Sequence, residues 1–314
     1  MLIYRRFTAD LRQWVRHLRD AGVGVIWDND DDFLHMPRNR QNKRHSGGRS
    51  SQQIFTEMVQ IARLADQVLV TTEPLAGVMA DAGVRRVHVI PNQLAPGTRT
   101  RRPHADFTIG WIAGDEHRPD AQGVDLHNAL SRLMEKHPNL TVTTVGVELH
   151  LRERERYRHT RFVPFEALPE VIAEFDIGIA PLLDTPFNRS RSDIKVKEYA
   201  GFQVPWVASP HGPYAPLGEE QGGRLAADDA WFDVLDGLVA DPDAQRRLAA
   251  AGAAWASTQT FDAVADEYEQ LLATVAAKAS GRPIAVSSPP PPTSAAKVGA
   301  RLPRGLRRRR QPTP

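Results

Sequence analysis

The sequence predicts an α/β fold made of two Rossmann-like domains, each with a doubly wound parallel sheet. Short apolar runs alternate with amphipathic helical segments along most of residues 1–277, a pattern typical of parallel sheets. The 314 residues, 41% of them hydrophobic, are enough for two domains with cores. A polar stretch rich in arginine separates two alternating regions at residues 95–106. We therefore predict one domain over residues 1–97 and another over residues 98–280.

The first domain opens with a short strand, a helix and a second strand. Thr8 is the expected cap of the first helix, and Ser50 or Ser51 caps the second. Predicted strands cover residues 2–4, 23–27, 67–72 and 87–90, and predicted helices cover residues 8–21, 50–65 and 74–82. A polar turn with the sequence PNQ follows the last of these strands.

The second domain repeats the alternation. Predicted strands cover residues 107–112, 140–145, 162–164, 176–180 and 204–208, and predicted helices cover residues 122–136, 168–174, 192–200, 228–240, 242–252 and 261–277. The first of these strands ends in a glycine, Gly114. A glycine in that position is typical of a turn.

The best-specified segment is residues 188–209, NRSRSDIKVKEYAGFQVPWVAS. Its apolar spacing predicts a short amphipathic helix that begins near Ser192, followed by a buried strand over residues 204–208. Ser190 and Ser192 are both suitable N-cap residues, and Asp193 falls three positions after Ser190. The unpaired N–H groups at such a helix start favour an anion.

Two charged side chains fit a nucleotide at this helix start. Lys195 places a positive charge on the first turn, and Glu198 lies three residues later on the same face. A carboxylate beside an anion-binding turn suits the vicinal hydroxyls of a ribose. The alternative is a solvated Lys–Glu pair, which stabilises a helix by only a few tenths of a kcal/mol.

The segment resembles the donor-binding signature of retaining GT-B glycosyltransferases of family 4, the group 1 type, in which an EYAxxGxPVVAS-like run follows the loop that holds the nucleotide diphosphate. The resemblance implies two domains that face a cleft, a nucleotide diphosphate sugar as donor and a glycan or lipid-linked hydroxyl acceptor. It implies that Glu198 binds the ribose and that Lys195 lies near the phosphates. It also implies retention of anomeric configuration and no obligatory metal or other cofactor. In many relatives a glutamate that contacts the donor sugar stands where this chain has Ser190.

The resemblance extends to other donor-binding positions. Gly114 corresponds to a glycine loop under the donor phosphates, and Arg118 is a candidate to reach the diphosphate, as is His117. The loop at residues 181–191 directly precedes the motif helix, so Asn188, Ser190, Arg191 and Ser192 are expected to face the same cleft, with Asp193 beside them. The last helix is expected to cross back to the first domain. That first domain is shorter than in such relatives, so either upstream sequence precedes it or it is reduced.

A run of five polar residues, DNDDD at residues 28–32, directly follows the second predicted strand. Ligand sites of open α/β sheets lie at the carboxyl ends of strands. Relatives often carry a His-Asp pair here, and the best local match places Asp30 at the histidine and Asp31 at the aspartate. Asp30 and Lys195 are therefore the candidate catalytic residues. A turn or helix cap is the bland alternative for the cluster.

The same run permits a different enzyme class. An Asp-x-Asp after an apolar strand resembles the metal-binding motif of GT-A glycosyltransferases, so Asp28 and Asp30 could hold a divalent ion. This hypothesis leaves the segment at residues 188–209 unexplained, and we rank it below the GT-B interpretation. A non-catalytic nucleotide-sugar-binding protein is the other alternative, motivated by the short first domain and by Ser190.

Charge is distributed unevenly along the chain. Residues 281–314 hold eight basic residues and no acidic one, whereas the rest has 32 basic against 38 acidic residues. This Pro/Arg-rich tail offers little to bury and is predicted to be disordered. We interpret it as a solvated tail, with electrostatic contact to anionic lipid or nucleic acid as the alternative for its basic end. Specific nucleic-acid binding is not predicted, because base readout needs an ordered element.

A second basic stretch lies at residues 35–49, which carry no acid and a Gly-Gly pair. We interpret it as a loop, either solvated or able to hold an acidic or phosphate-linked acceptor. The chain has no cysteine, which excludes disulfides and thiolate metal sites, and no apolar run suited to secretion or membrane spanning. These features predict a cytoplasmic location, peripheral to the inner face of the membrane if the tail contacts lipid.

Overall fold

The computed structural model describes residues 1–37, 49–97 and 99–282. Most of the basic stretch at residues 35–49 and most of the predicted tail lie outside these ranges. Two separate parallel sheets are present, one of four strands and one of six. This confirms the predicted α/β class with two parallel sheets. The boundary at residues 97 and 98 stays a prediction.

The first sheet has the strand order β1-β2-β3-β4, and all neighbours are parallel. Its strands are β1 (Leu2–Tyr4), β2 (Ile26–Asn29), β3 (Gln67–Val70) and β4 (Val87–Val89), and its helices are α1 (Ala9–Asp20), α2 (Ser51–Ala62) and α3 (Glu73–Asp81). The start of α2 is a capping box, as the serine pair predicts: Ser50 Oγ accepts from Gln53 N at 3.2 Å, and Gln53 Oε1 accepts from Ser50 N at 2.8 Å.

The second sheet has the order β10-β9-β8-β5-β6-β7, again parallel throughout. Its strands are β5 (Phe107–Ala113), β6 (Leu140–Gly146), β7 (Tyr157–Thr160), β8 (Ile177–Ala180), β9 (Trp206–Ala208) and β10 (Gly223–Leu225). Strand order reverses between β5 and β8, because β6 and β7 lie on one side of β5 and β8 to β10 on the other. Ligands of open α/β sheets bind at such a switch point, outside the carboxyl ends of the strands.

The helices that follow β5, apart from the last, pack around this sheet and form the second unit of the fold with it; the first sheet and its helices form the first unit. The helices that follow β5 are α4 (Arg118–Gly123), α5 (Leu126–Lys136), α6 (Leu168–Ile172), α7 (Pro186–Arg189), α8 (Ile194–Gly201), α9 (Trp231–Val239), α10 (Pro242–Ser257) and α11 (Ala265–Ser280). Within the described ranges, no helix is long and apolar enough to cross a membrane.

Helix α11 returns to the first sheet, as expected of the last helix. Leu271 and Val275 pack there against Ile26 and Leu69. The chain crosses between the two sheets twice, at Leu94 on the way out and at residues 259–261 on the way back, and the two crossing segments lie side by side. Leu94 N donates to the carbonyl of Gln259 at 2.8 Å, and the Leu94 carbonyl accepts from Phe261 N at 3.0 Å. The outward and return passages are therefore bonded to each other.

Several local predictions were wrong. The single helix predicted over residues 122–136 is two helices, α4 and α5, with Asp125 between them in the left-handed region at φ 48°. The strand predicted at residues 162–164 is absent; strand β7 lies earlier, and Phe162 is 77% exposed. Strand β10 was not predicted. The short apolar run at residue 162 misled the prediction, because the true strand is a polar edge strand.

Helix α8 sits closely on the switch point because Gly178 of β8 leaves room for the ring of Tyr199. Tyr199 is fully buried and bridges the two strands: its hydroxyl donates to the Ile179 carbonyl at 3.2 Å and accepts from Ile112 N at 3.4 Å. A Cβ added at Gly178 would lie 2.4 Å from Cδ2 of that ring. The glycine thus determines how closely α8 approaches the strand ends.

Gly178→Ala is expected to destabilise the protein, because the added methyl group displaces a buried ring at a cost of about 1–3 kcal/mol. Scanning calorimetry should record a melting temperature lower by several degrees. Gly237→Ala is the matched control, since an added Cβ there meets nothing within 4 Å inside helix α9. That variant should melt at the same temperature or slightly higher. Equal melting temperatures for Gly178→Ala and the parent chain would contradict this packing.

Candidate functional site

Lys195 and Glu198 lie on α8 directly above the switch point. The Nζ atom of Lys195 donates to the carbonyl of Ile112, at the end of β5. Burial, together with the nearby charge of Arg191, lowers the pKa of Lys195 to about 8, while Glu198 acts in the opposite direction. Burial raises the pKa of Glu198, against the attraction of Lys195 and Arg99. The sequence-predicted pair is therefore brought together at a strand end and is not a solvated surface pair.

A cleft of about 550 Å³ lies across the ends of β5 and β6, and Ile112, whose carbonyl binds Lys195, is part of its lining. Its lining includes Gly114, Arg118, His159, Arg161 and Phe162. Gly114 and Arg118 thus lie on the cleft wall, whereas His117, the third residue predicted near the phosphates, does not line the cleft. The guanidinium of Arg118 is paired with Asp115, whose Oδ1 accepts from Nε at 3.2 Å and from NH2 at 3.0 Å.

A buried polar network lies behind the loop that precedes α8. His117 Nδ1 is 2.9 Å from Oδ2 of Asp120, and Asp120 Oδ1 accepts from Asn188 Nδ2 at 2.7 Å and from Leu183 N at 2.9 Å. Burial lowers the pKa of His117 to about 4. The imidazole is therefore neutral at physiological pH, with Nδ1 donating to Asp120 and Nε2 left as an acceptor.

Arg191 donates to Nε2 of His117 and also contacts the first sheet. Its NH2 is 3.1 Å from His117 Nε2 and 3.8 Å from Glu116 Oε1, and its NH1 is 3.2 Å from Asp31 Oδ1. The side chain also lies over the ring of Phe187, 5.3 Å from its centroid. Arg191 therefore joins the end of β2 to the loop after β5.

The predicted helix caps were wrong, and Ser190 and Ser192 make contacts between the two units instead. The Ser190 carbonyl accepts from Thr72 Oγ1 at 2.9 Å, and its buried hydroxyl lies 3.4 Å from Asp32 Oδ2. Ser192 Oγ accepts from Asn92 Nδ2 at 3.0 Å. Helix α8 begins at Ile194 with Asp193 at the N-cap position.

Asp193 forms an ion pair with Lys197, a residue that the sequence analysis did not predict to belong to the site. Lys197 is almost fully buried; its Nζ pairs with Asp193 Oδ1 at 3.0 Å and donates to the Asn92 carbonyl at 3.0 Å. Asn92 belongs to the PNQ turn after β4. Asp193 and Lys197 therefore anchor α8 to this turn, and a spacing of four on a helix is the signal that could have identified the pair.

The acidic run after β2 is divided among several partners. Asp30 accepts from the hydroxyl of Tyr4 at 2.9 Å and pairs with Arg5 Nε at 3.3 Å. Asp32 is buried and accepts from the N–H groups of Leu34 and His35, so it stabilises a turn, one of the two roles in the alternative interpretation of this run. Asp30 is therefore bound within the first unit, whereas its neighbour Asp31 pairs with Arg191 of the second unit.

Asp28 lies within β2, and burial, with the charge of Asp30, raises its pKa to about 6. Among residues 1–37, 49–97 and 99–282, no group of three or more His, Cys, Asp or Glu side chains is placed to hold a metal ion.

Comparison with solved structures identifies the architecture. HepE of Anabaena in complex with UDP-glucose superposes with a TM-score of 0.63 at 17% identity, over 87% of this chain and 78% of HepE. Sucrose-phosphate synthase of Thermosynechococcus elongatus gives 0.62 at 17% identity, over 88% and 74%. The chain has the GT-B fold. A third neighbour is the pneumococcal O-GlcNAc transferase GtfA in complex with UDP and GlcNAc, at 0.58 and 13% identity over 84% and 59%.

The GT-B assignment confirms the fold inferred from the resemblance to group 1 glycosyltransferases. It does not favour the GT-A hypothesis for Asp28 and Asp30. No family model matches the chain, and no curated protein matches its sequence.

The network around His117 generates a pH prediction. Its folded-state pKa of about 4 lies below the usual value near 6.5, so the unfolded chain binds more protons between these two pH values. This group therefore makes the free energy of unfolding rise with pH across that window. NMR titration of the imidazole, assigned with the variant His117→Gln, should show a midpoint well below 6. A midpoint at or above 6.5 would rule out the buried neutral form.

Proposed function

We propose that this chain is a glycosyltransferase that moves a sugar from a nucleotide diphosphate sugar to a hydroxyl acceptor. The observation that carries the proposal is the position of Lys195 and Glu198: both lie on a helix that covers the switch point of a doubly wound sheet, where nucleotides bind in such folds. The neighbouring fold members HepE and GtfA bind UDP, so a uridine nucleotide is the first donor to test.

The diphosphate is proposed to lie at the start of α8. The N–H groups of the first turn attract an anion, and Lys195 and Arg191 add two positive charges beside it. Glu198 is then placed for the ribose, and the base extends into the cleft between Gly114 and Phe162. The donor-binding set is Gly114, Arg118, Ser190, Arg191, Ser192, Asp193, Lys195 and Glu198. Within it, Ser190, Ser192 and Asp193 would act by holding the loop and helix in place, given their contacts.

Catalysis is proposed to rest on stabilisation of the leaving diphosphate. The bond from the anomeric carbon to the diphosphate oxygen breaks, negative charge grows on that oxygen, and fixed cations there lower the barrier. Lys195 and Arg191 supply such charge without an obligatory metal. Asp30, held by Tyr4 and Arg5, is proposed to line the sugar from the side of the first sheet. Retention of configuration follows from the resemblance to family 4.

The acceptor is proposed to be a glycan or lipid-linked hydroxyl that enters against the first sheet. The basic tail would assist a lipid-linked acceptor by contact with anionic headgroups at the inner face of the membrane. Specific recognition of nucleic acid is not part of the proposal.

Turnover tests the enzyme hypothesis. Purified chain is incubated with UDP-glucose and with other common nucleotide sugars, with and without EDTA, and release of nucleoside diphosphate is measured. We expect release that persists in EDTA and falls about tenfold to a hundredfold in Lys195→Ala. Loss of activity in EDTA would contradict metal independence. Tight nucleotide binding without turnover of any donor would instead favour a non-catalytic nucleotide-sugar-binding protein.

Calorimetric titration tests the two site residues separately. Glu198→Ala removes charge-assisted bonds to the ribose, worth about 1.5–3 kcal/mol, and should weaken UDP and uridine alike by about ten to a hundred times. Lys195→Ala should weaken UDP far more than uridine, because its charge faces the diphosphate.

Lys278→Ala is the control for loss of a lysine charge, since Lys278 is exposed on α11, away from the switch point. It should leave both affinities unchanged. If Glu198→Ala and Lys195→Ala remain folded and bind both ligands normally, the nucleotide site lies elsewhere in the chain.

A further inference from the structure

Arg191 is bound on both edges of its guanidinium by groups of the protein. One edge faces His117 and Glu116 of the second unit, and NH1 faces Asp31 of the first. The side chain is 23% exposed and Asp31 only 15%, so the pair is largely shielded from water. Screening by salt is correspondingly weak, and the contact is stronger than an ordinary surface ion pair.

Asp31 presents to NH1 a negatively charged oxygen, as a phosphate would. Carboxylate and phosphate oxygens are alternative partners of a guanidinium, bound by the same N–H donors. The loop that carries Arg191 leads within three residues into α8, where the diphosphate is proposed to lie. A diphosphate and Asp31 would therefore compete for one cation.

We propose that Asp31 is an internal competitor of the donor diphosphate for Arg191, so that donor binding exchanges an ion pair between the two units for one with the ligand. This inference rests on the proposed function. Asp31 is a positioning residue in this scheme: it acts on the ligand through Arg191 and need not touch the donor.

The exchange is feasible because Asp31 has a second partner. The guanidinium of Arg5 also pairs with Asp31 and Asp30, and its position over the ring of Phe33 restrains it. Displacement from Arg191 therefore does not leave a buried carboxylate without a cation, which would be costly.

The exchange also changes how the two units are joined. The Asp31–Arg191 pair is one of several links between them in the described part of the chain; the Thr72–Ser190 and Asn92–Ser192 hydrogen bonds need not change. Binding of a diphosphate would thus break one ion pair at the end of β2 and keep the contacts at the ends of β3 and β4.

A double-mutant cycle tests the inference, with UDP and inorganic pyrophosphate as probes in calorimetry. Asp31→Asn should tighten binding of both probes by about threefold to tenfold, because Arg191 is released from its competitor. In an Arg191→Gln background, Asp31→Asn should have no effect on either affinity. Uridine, which lacks phosphate, should bind equally to the parent chain and to Asp31→Asn.

Other outcomes overturn the inference. Equal tightening by Asp31→Asn in both backgrounds means that Asp31 repels the ligand directly as a like charge. Unchanged or weaker binding means that Asp31 does not compete at all. If Asp31→Asn unfolds, Asp31→Ser takes its place in the same cycle. Failure of the parent chain to bind UDP or any other nucleoside diphosphate overturns the proposed function itself, and this inference with it.

Discussion

The segment at residues 188–192, from the end of α7 towards the start of α8, is the constraint on which the rest of the site depends, because it is bound from both sheets at once. On its inner side Asn188 is fixed by Asp120 of the second unit. On its outer side Ser190, Arg191 and Ser192 contact the carboxyl ends of the first sheet. Helix α8 can begin only where this segment places it, so the position of Lys195 and Glu198 is determined by contacts made several residues earlier.

Tyr199 provides the matching constraint beneath the helix. Its hydroxyl joins Ile112 of β5 to Ile179 of β8, the two strands between which the sheet reverses its order. A buried phenol must find hydrogen-bond partners, and here the partners are the strand ends themselves. The helix that carries the charged groups is thus held to the backbone of the switch point, which favours a rigid arrangement of the site.

The sequence predicted those features that depend on neighbouring residues. The capping box at Ser50 formed as expected because both of its partners lie within one turn. Ser190 also stands at a position where the local sequence favours a helix cap, but it does not cap α8. Its hydroxyl contacts Asp32 and its carbonyl accepts from Thr72, and both partners lie more than a hundred residues away. Local pattern cannot register such partners, which only the packing of two sheets brings near.

The same limit applies to charge. Lys195 and Lys197 are both polar positions on a short helix, and each has an acidic residue at helical spacing, so spacing alone does not tell which of them serves as an anchor. The structure buries Lys197 as an anchor and leaves Lys195 above the strand end. Edge strands are also hard to predict from local sequence. Strand β7 consists of half-buried and exposed residues with polar groups, and it lacks the apolar run that identifies a central strand.

The paired passages at Leu94 and Thr260 have a mechanical consequence. Since the outward and return segments are bonded to each other, a rotation of one sheet relative to the other would have its axis close to this pair. Asn92 is two residues from Leu94, so a rotation about this axis would displace it little. Asp31 follows β2, two strands or about 10 Å further along the sheet, and would be displaced more. Such a rotation would separate the two units first at Asp31 and Arg191, while the hydrogen bonds of Asn92 to Ser192 and Lys197 remain.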